Sequence, residues 1–293
     1  MIEIKDLFKS YDGKKMVLDG VNLTIEPSCV FGLVGINGAG KSTLLRLIAG
    51  VLSADEGQVC VEGRNVYENE EKKAKIFFLP DDPFYTSKVT ARGLADMYAA
   101  TYDFNESVFL EYLEKFKLAE NKPIRNFSKG MKRQVFVALA LAVAPKYLLL
   151  DEAFDGLDPL ARIVFKRGLI DLVENNGTCV IISSHSLREL EDICDSYGIL
   201  DHGKITSSGE LENELTSLHK FQAAFEGDIS KEDLGFECMS FRKTGRVVQL
   251  IARGEVEDIK QKLAQKQPLF IEEIEVDFEE LFIAEVEARG YLQ

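Results

Sequence analysis

The sequence predicts an α/β protein built on a mixed, largely parallel sheet, with an all-helical insertion and a small α+β appendage at its end. Three features carry this expectation. Short apolar runs alternate with helical patterns; most of those runs are uninterrupted, as in strands covered on both faces; and the stretch from Thr90 to Lys117 is helical in pattern throughout. A length of 293 residues with 46% hydrophobic residues suffices for one large or two modest domains with true cores.

Along the chain, strands are expected at Val30–Val34, Val59–Val61, Ile76–Leu79, Tyr147–Leu150, Cys179–Ser183 and Tyr197–Leu200. The turn His202-Gly203 then leads into a polar and apolar stretch, Lys204–Ser208. Asp158-Pro159 pairs an N-cap with a proline at the first helical position, and Ser186-Leu187-Arg188-Glu189 reads as a capping box. The division expected is 1–214, with a helical subdomain over about 82–144, and 215–293. In the second part, strand-like runs at Phe221–Phe225, Val247–Ile251 and Leu269–Val276 accompany a helical stretch near Glu255–Lys266. A last helix, Phe278–Arg289, places Phe278, Leu281, Phe282 and Val286 near one stripe. The eight acids between Glu272 and Glu287 lack a ligand spacing and read as a solvated face.

The chemistry concentrates at the ends of three apolar runs. After Cys29–Val34 comes Gly35-Ile36-Asn37-Gly38-Ala39-Gly40-Lys41-Ser42-Thr43, followed by the apolar helix Leu44–Ala49. Strand, glycine loop and helix in that order form a phosphate cradle: backbone N–H groups wrap a polyphosphate, Lys41 reaches its terminal phosphates and the Ser42 hydroxyl holds Mg²⁺. The second run, Tyr147–Leu150, ends in Asp151 and Glu152. Asp151 is placed to orient Mg²⁺, and Glu152 to polarise a water beside the γ-phosphate. The third run ends at Ser183-Ser184-His185, which brings an imidazole to the same sheet edge as a γ-phosphate hydrogen-bonding group. The expected fold is therefore of the P-loop NTPase type, with one phosphate loop and no internal repeat.

Composition narrows the setting. The longest apolar stretches, such as Val135–Ala144, are too short to cross a bilayer, and the first twenty residues carry eight charges in place of a signal peptide's apolar centre. A soluble, unexported chain is expected. The five cysteines form no Cys-x-x-Cys pair and read as reduced core residues. A net charge of −14 argues against a chain whose main business is wrapping nucleic acid, so no nucleic-acid partner is expected.

Over roughly residues 1 to 210 these motifs resemble the nucleotide-binding subunits of ATP-binding cassette (ABC) transporters. Ser128-Lys129-Gly130-Met131-Lys132 stands where that family has its Leu-Ser-Gly-Gly-Gln signature, Gly156-Leu157-Asp158 matches its dimer-contact loop, His185 its switch histidine and Tyr11 its adenine-stacking aromatic. The resemblance implies ATP and Mg²⁺ as cofactors, with contacts from Tyr11, Gly35, Asn37, Gly38, Ala39, Gly40, Lys41, Ser42, Thr43, Ser128, Gly130 and Asp158. It also implies a homodimer closing on two ATP molecules, separate transmembrane permease subunits of a small exporter, and a cytoplasmic position on the inner face of the membrane. In two places the chain departs from the family. Asp81, followed by Asp82, replaces the glutamine that touches Mg²⁺ and the attacking water, so Asp81 can reach a triphosphate only through a cation or water. In the signature, Lys129 and Met131 replace a glycine and the glutamine, and a lysine there suits an incoming phosphate. The other reading is a soluble ABC-type switch on ribosomes or nucleic acid. One phosphate loop and no heptad run favour transport.

Overall fold

The computed structural model describes residues 1–288. The chain forms two compact units that part after Ser208, while sequence reading drew the line after residue 214. What periodicity left unassigned at that junction is a short helix, α8, given below.

The first unit opens with two long strands, β1 (Ile2–Ser10) and β2 (Met16–Ile25), neither anticipated from the sequence. They pair antiparallel, and β1 pairs on its other side with β4 (Glu56–Val61) and through it with β5 (Arg64–Asn65). Ile2, Ile4, Leu7, Leu18, Val21, Leu23 and Ile25 point into the core, but bulges break the alternation at Asp6, whose φ is +45°. The hairpin from β4 to β5 turns on Glu62 and Gly63, both with positive φ, the type I′ geometry that suits the twist of its strands.

The second sheet has the strand order β10-β9-β3-β8-β7-β6. Its members are β3 (Val30–Val34), β6 (Ile76–Leu79), β7 (Tyr147–Asp151), β8 (Cys179–Ser184), β9 (Ser196–Asp201) and β10 (Lys204–Glu210). From β9 to β6 the pairing is parallel. Every residue of β3, β7 and β8 is buried, which is why these runs carry no polar alternation. Helix α1 (Lys41–Ile48) packs its Leu44, Leu45, Leu47 and Ile48 into this core. The one-turn α2 (Glu70–Lys73) is capped by Asn69. The expected insertion contains α3 (Ala91–Ala99) and α4 (Glu106–Lys115), capped by Thr90 and Asn105, and α5 (Lys129–Val143), buried from Arg133 to its end. Asp158 caps α6 (Pro159–Asn176) with Pro159 at its first position, as the sequence indicates, and Gly177 ends it in a left-handed conformation.

The capping box at Ser186 does not form. The following helix, α7 (Arg188–Glu191), is one turn long with Leu187 at its cap, and the Ser186 N–H instead donates to the Ser184 hydroxyl at 2.9 Å. The Glu189 carboxylate that would close the box instead pairs with Arg162 of α6 at 2.6 Å, so a tertiary partner outcompetes the local motif.

The second unit begins with α8 (Leu211–Thr216) and carries a four-stranded sheet of order β12-β13-β11-β14 among the described residues. Its strands are β11 (Leu218–Ala224), β12 (Ser240–Thr244), β13 (Val247–Arg253) and β14 (Phe270–Ile274). Phe221, Ala223, Val248, Leu250 and Ala252 form one core with Ile259 and Leu263 of α9 (Val256–Ala264). In α10 (Phe278–Ala288), Phe278, Leu281 and Ala284 are the fully buried positions, whereas Phe282 is half-buried; the Val286 side chain and Arg289 lie outside the described residues.

The turn residue Glu62 collects three ammonium groups. Its carboxylate pairs with Lys146, with Lys72 at 2.7 Å and with Lys75 at 2.9 Å, which ties the β4 to β5 hairpin to α2 and to the approach to β7. These contacts, that of Lys146 foremost, hold its carboxyl far below the ordinary carboxylate range. A depressed carboxylate stabilises the fold fully above its unfolded pKa, about 4.3, and loses that contribution as acid protonates it. Glu62→Gln should therefore lower stability at pH 7 by about 1–2 kcal/mol, and the gap to wild type should narrow in urea unfolding below about pH 4. A gap that does not change with pH would show that the contribution of Glu62 is not electrostatic.

Candidate active site

The register of the parallel sheet assembles the site. Leu33 of β3, Ser183 of β8 and Asp151 of β7 lie in one row across three neighbouring strands, so the glycine loop, the acidic pair and His185 all emerge from the same edge. The loop is shaped by its glycines. Gly38 has φ +83° and a Cβ there would meet nothing within 4 Å, which leaves open space over the loop. Gly40, at φ +111°, caps α1, and no side chain caps that terminus. The first amides of α1 therefore remain available to an anion, with the positive end of the helix dipole behind them.

Lys41 is buried and folds back over the loop, donating to the Gly35 carbonyl at 2.7 Å while its Nζ lies 3.4 Å from Glu152 Oε1. The other carboxylate oxygen, Oε2, lies 3.0 Å from His185 Nδ1 and accepts from the His185 N–H at 3.3 Å. Glu152 thus links the loop lysine to the histidine at the head of the cradle. Its φ of +49° is a left-handed conformation that costs about 1–2 kcal/mol for a residue with a Cβ, and such strain is held where surrounding contacts enforce it. Asp151 is buried and its Oδ1 accepts from the Ser183 hydroxyl at 2.7 Å. Ser42, half-buried, follows Lys41. A hydroxyl and a carboxylate are hard oxygen donors that fit Mg²⁺.

Tyr11 is 59% exposed, and its hydroxyl lies 3.2 Å from Thr43 Oγ1, beside the first turn of α1. Ser128 caps α5, accepting from the Met131 N–H at 3.2 Å. Gly130 runs so close to Gly156 that a Cβ on it would stand 2.4 Å from the Gly156 carbonyl oxygen, and Gln134 donates to Asp158 at 3.3 Å. The signature turn and the 156–158 loop are thus one packed unit. Asp81 is engaged elsewhere: Arg133 of α5 donates to its carboxylate at 2.7 Å and to its carbonyl at 2.6 Å. Three further residues were not singled out by the sequence. Arg133 carries the charge that complements Asp81, Ser183 bonds both members of the acidic pair, and Asp155 brings a carboxylate oxygen within 4.8 Å of ligand atoms of Glu152 and His185.

Residues 18–155 match the family model described as ABC transporter. The ABC transporter ATP-binding protein YtrB of Bacillus subtilis (strain 168) is 32% identical over 286 residues, covering 97% of each chain. The lantibiotic transport ATP-binding protein SrtF of Streptococcus pyogenes is 34% identical over 231 residues, 78% of this chain and 97% of that one. A solved ATP-binding subunit of an ABC transporter superposes with a TM-score of 0.67 at 28% identity, covering 74% of this chain and 92% of the other. A dimeric ATP-binding cassette with bound ADP and phosphate shares the fold, with a TM-score of 0.63 at 22% identity over 72% of this chain and 99% of the other. The chain belongs to the ATP-binding proteins of the ABC transporter family. It is an ATP hydrolase of that class, with the P-loop NTPase fold expected from its motifs.

Removing the Lys41 ammonium should weaken ATP binding itself, because the cradle would lose the one charge placed to face the terminal phosphates. For Lys41→Ala, fluorescence titration with a labelled ATP should show affinity at least about tenfold lower, and unchanged affinity would overturn the placement of the phosphates on this loop.

Proposed function

We propose that the chain is the energy-supplying subunit of a membrane exporter, closing as a homodimer on two molecules of MgATP between which it shares its catalytic groups. The observation that carries this reading is the Glu152 carboxylate held between Lys41, at 3.4 Å, and His185, at 3.0 Å, at the head of the cradle. Lys41 and the loop amides of Asn37 to Thr43 bind the phosphates, and Tyr11 stacks on the adenine. Ser42 and Asp151 would hold Mg²⁺, which supplies neutralisation of the β- and γ-phosphate charge. Glu152 takes a proton from the water that attacks the γ-phosphorus as the bond to the bridging oxygen breaks, giving ADP and phosphate. His185 holds the γ-phosphate by hydrogen bonding. Ser128, Gly130 and Asp158 complete the site of the opposite subunit.

Transmembrane permease subunits are the partners in this reading. No helix among the described residues is long and apolar enough to cross a membrane. A groove of about 430 Å³ lined by Asp82, Tyr85, Lys132 and Phe136 lies where Arg133 anchors Asp81. Beside it Phe84 is 90% exposed, an aromatic unsupported by its own chain. Asp81 then acts as a transmission point between groove and site through Arg133, and its contact with Mg²⁺ would require release of that ion pair. The relative named for lantibiotic transport supports a role in transport.

Glu152→Gln should bind ATP, lose turnover by at least about a hundredfold and run as a dimer on sizing chromatography with MgATP. Turnover comparable to wild type would remove Glu152 as the base. Phe84→Ser should keep soluble ATPase activity and lose co-purification with a multi-span membrane protein; co-purification that survives this change would place the docking surface elsewhere.

A further inference from the structure

We propose that Ser183 is a positioning residue for hydrolysis, setting the geometry of both members of the acidic pair through one buried hydroxyl. This rests on the reading of Glu152 as base. Ser183 is 0% exposed, at the end of β8 and in register with Asp151 of β7. Its Oγ donates to Asp151 Oδ1 at 2.7 Å. With its single proton so committed, the same oxygen accepts the Glu152 N–H at 3.1 Å, and the Ser183 carbonyl accepts that N–H as well, also at 3.1 Å.

The two bonds act on different parts of the chemistry. The first fixes one oxygen of Asp151 and thereby sets the orientation of the other, the one left to take part in the site. The second holds the peptide at which the chain turns into the left-handed conformation of Glu152, φ +49°, the turn that aims the Glu152 carboxylate back at Lys41 and His185. Without that anchor the turn has fewer contacts to enforce it, and the carboxylate loses its aim while the phosphate loop stays intact. Ser183 is fully buried behind the acidic pair, so its signature is a loss in kcat with little change in ATP affinity.

Threonine and valine at this position have nearly the same shape and differ in the hydroxyl, so comparing Ser183→Thr with Ser183→Val isolates the hydrogen bonds from packing. The valine variant should have kcat about tenfold or more below the threonine variant, with KM for MgATP within about twofold. Affinity for ATP in EDTA, measured by fluorescence titration, should be the same for both. Equal kcat values, or a kcat loss matched by an equal loss of Mg²⁺-free ATP affinity, would overturn the assignment. Glu152→Gln separates the two layers: if it stops turnover while threonine and valine behave alike, only the role of Ser183 falls, and if it turns over normally the base assignment itself falls.

Discussion

The parallel register of β3, β8 and β7 is the constraint on which the site depends. Leu33, Ser183 and Asp151 share one row, and each strand then delivers its chemical group a fixed number of residues later: the glycine loop from Gly35, Glu152 at once, His185 two residues on. A slip of one residue in either pairing would turn every side chain of a strand to the opposite face and bury Asp151 against apolar neighbours. That slip is blocked because all three strands are apolar on both faces and packed on both sides, so register is fixed by shape and not by the site. The core therefore holds the geometry of the site, and the groups of the site do not have to hold the core.

This separation explains how strained and charged groups are tolerated at the rim. Lys41 is buried without a fully matched anion, sharing Glu152 with His185 and leaning on the Gly35 carbonyl. A buried ammonium is costly unless an anion partners it, which is why the Glu152 carboxylate lies against it in this structure. In the proposed reaction a bound triphosphate would give Lys41 a better partner and free Glu152 from it, so that filling the cradle would also release the carboxylate for proton transfer.

How much of this was legible in the sequence follows from which interactions are local. The apolar strands of the parallel sheet were readable because burial on both faces removes alternation, whereas β1 and β2 were not, since the bulge at Asp6 breaks period two and charged residues occupy the outer face. The N-cap at Asp158 was readable because its hydrogen bond closes within three residues. The capping box at Ser186 failed for the opposite reason: the Glu189 carboxylate that would close it is taken by Arg162 of α6, a partner remote in the chain. Within the site, residue types at strand ends identified Lys41, Asp151, Glu152 and His185, but their side-chain partners lie 31 or more positions away. Ser183 and Arg133 became visible only once strand pairing and the packing of α5 brought them to Glu152 and Asp81.

Asp81 shows how a change in residue type can redirect a position without emptying it. Sequence chemistry places a carboxylate there in conflict with a triphosphate, since like charges repel unless a cation lies between them. The structure relieves the conflict within the chain: Arg133, 3% exposed on α5, grips the carboxylate and the Pro80 and Asp81 carbonyls together. A glutamine would be held less firmly, because it cannot form the charge-assisted pair. The loop is thereby coupled to α5, whose N-terminus carries Ser128 and Gly130 and packs on Gly156. Movement imposed on the groove beside Phe84 would then travel through Arg133 to the signature turn as a rigid piece, and in the proposed dimer that turn is the part of one subunit that meets the nucleotide of the other.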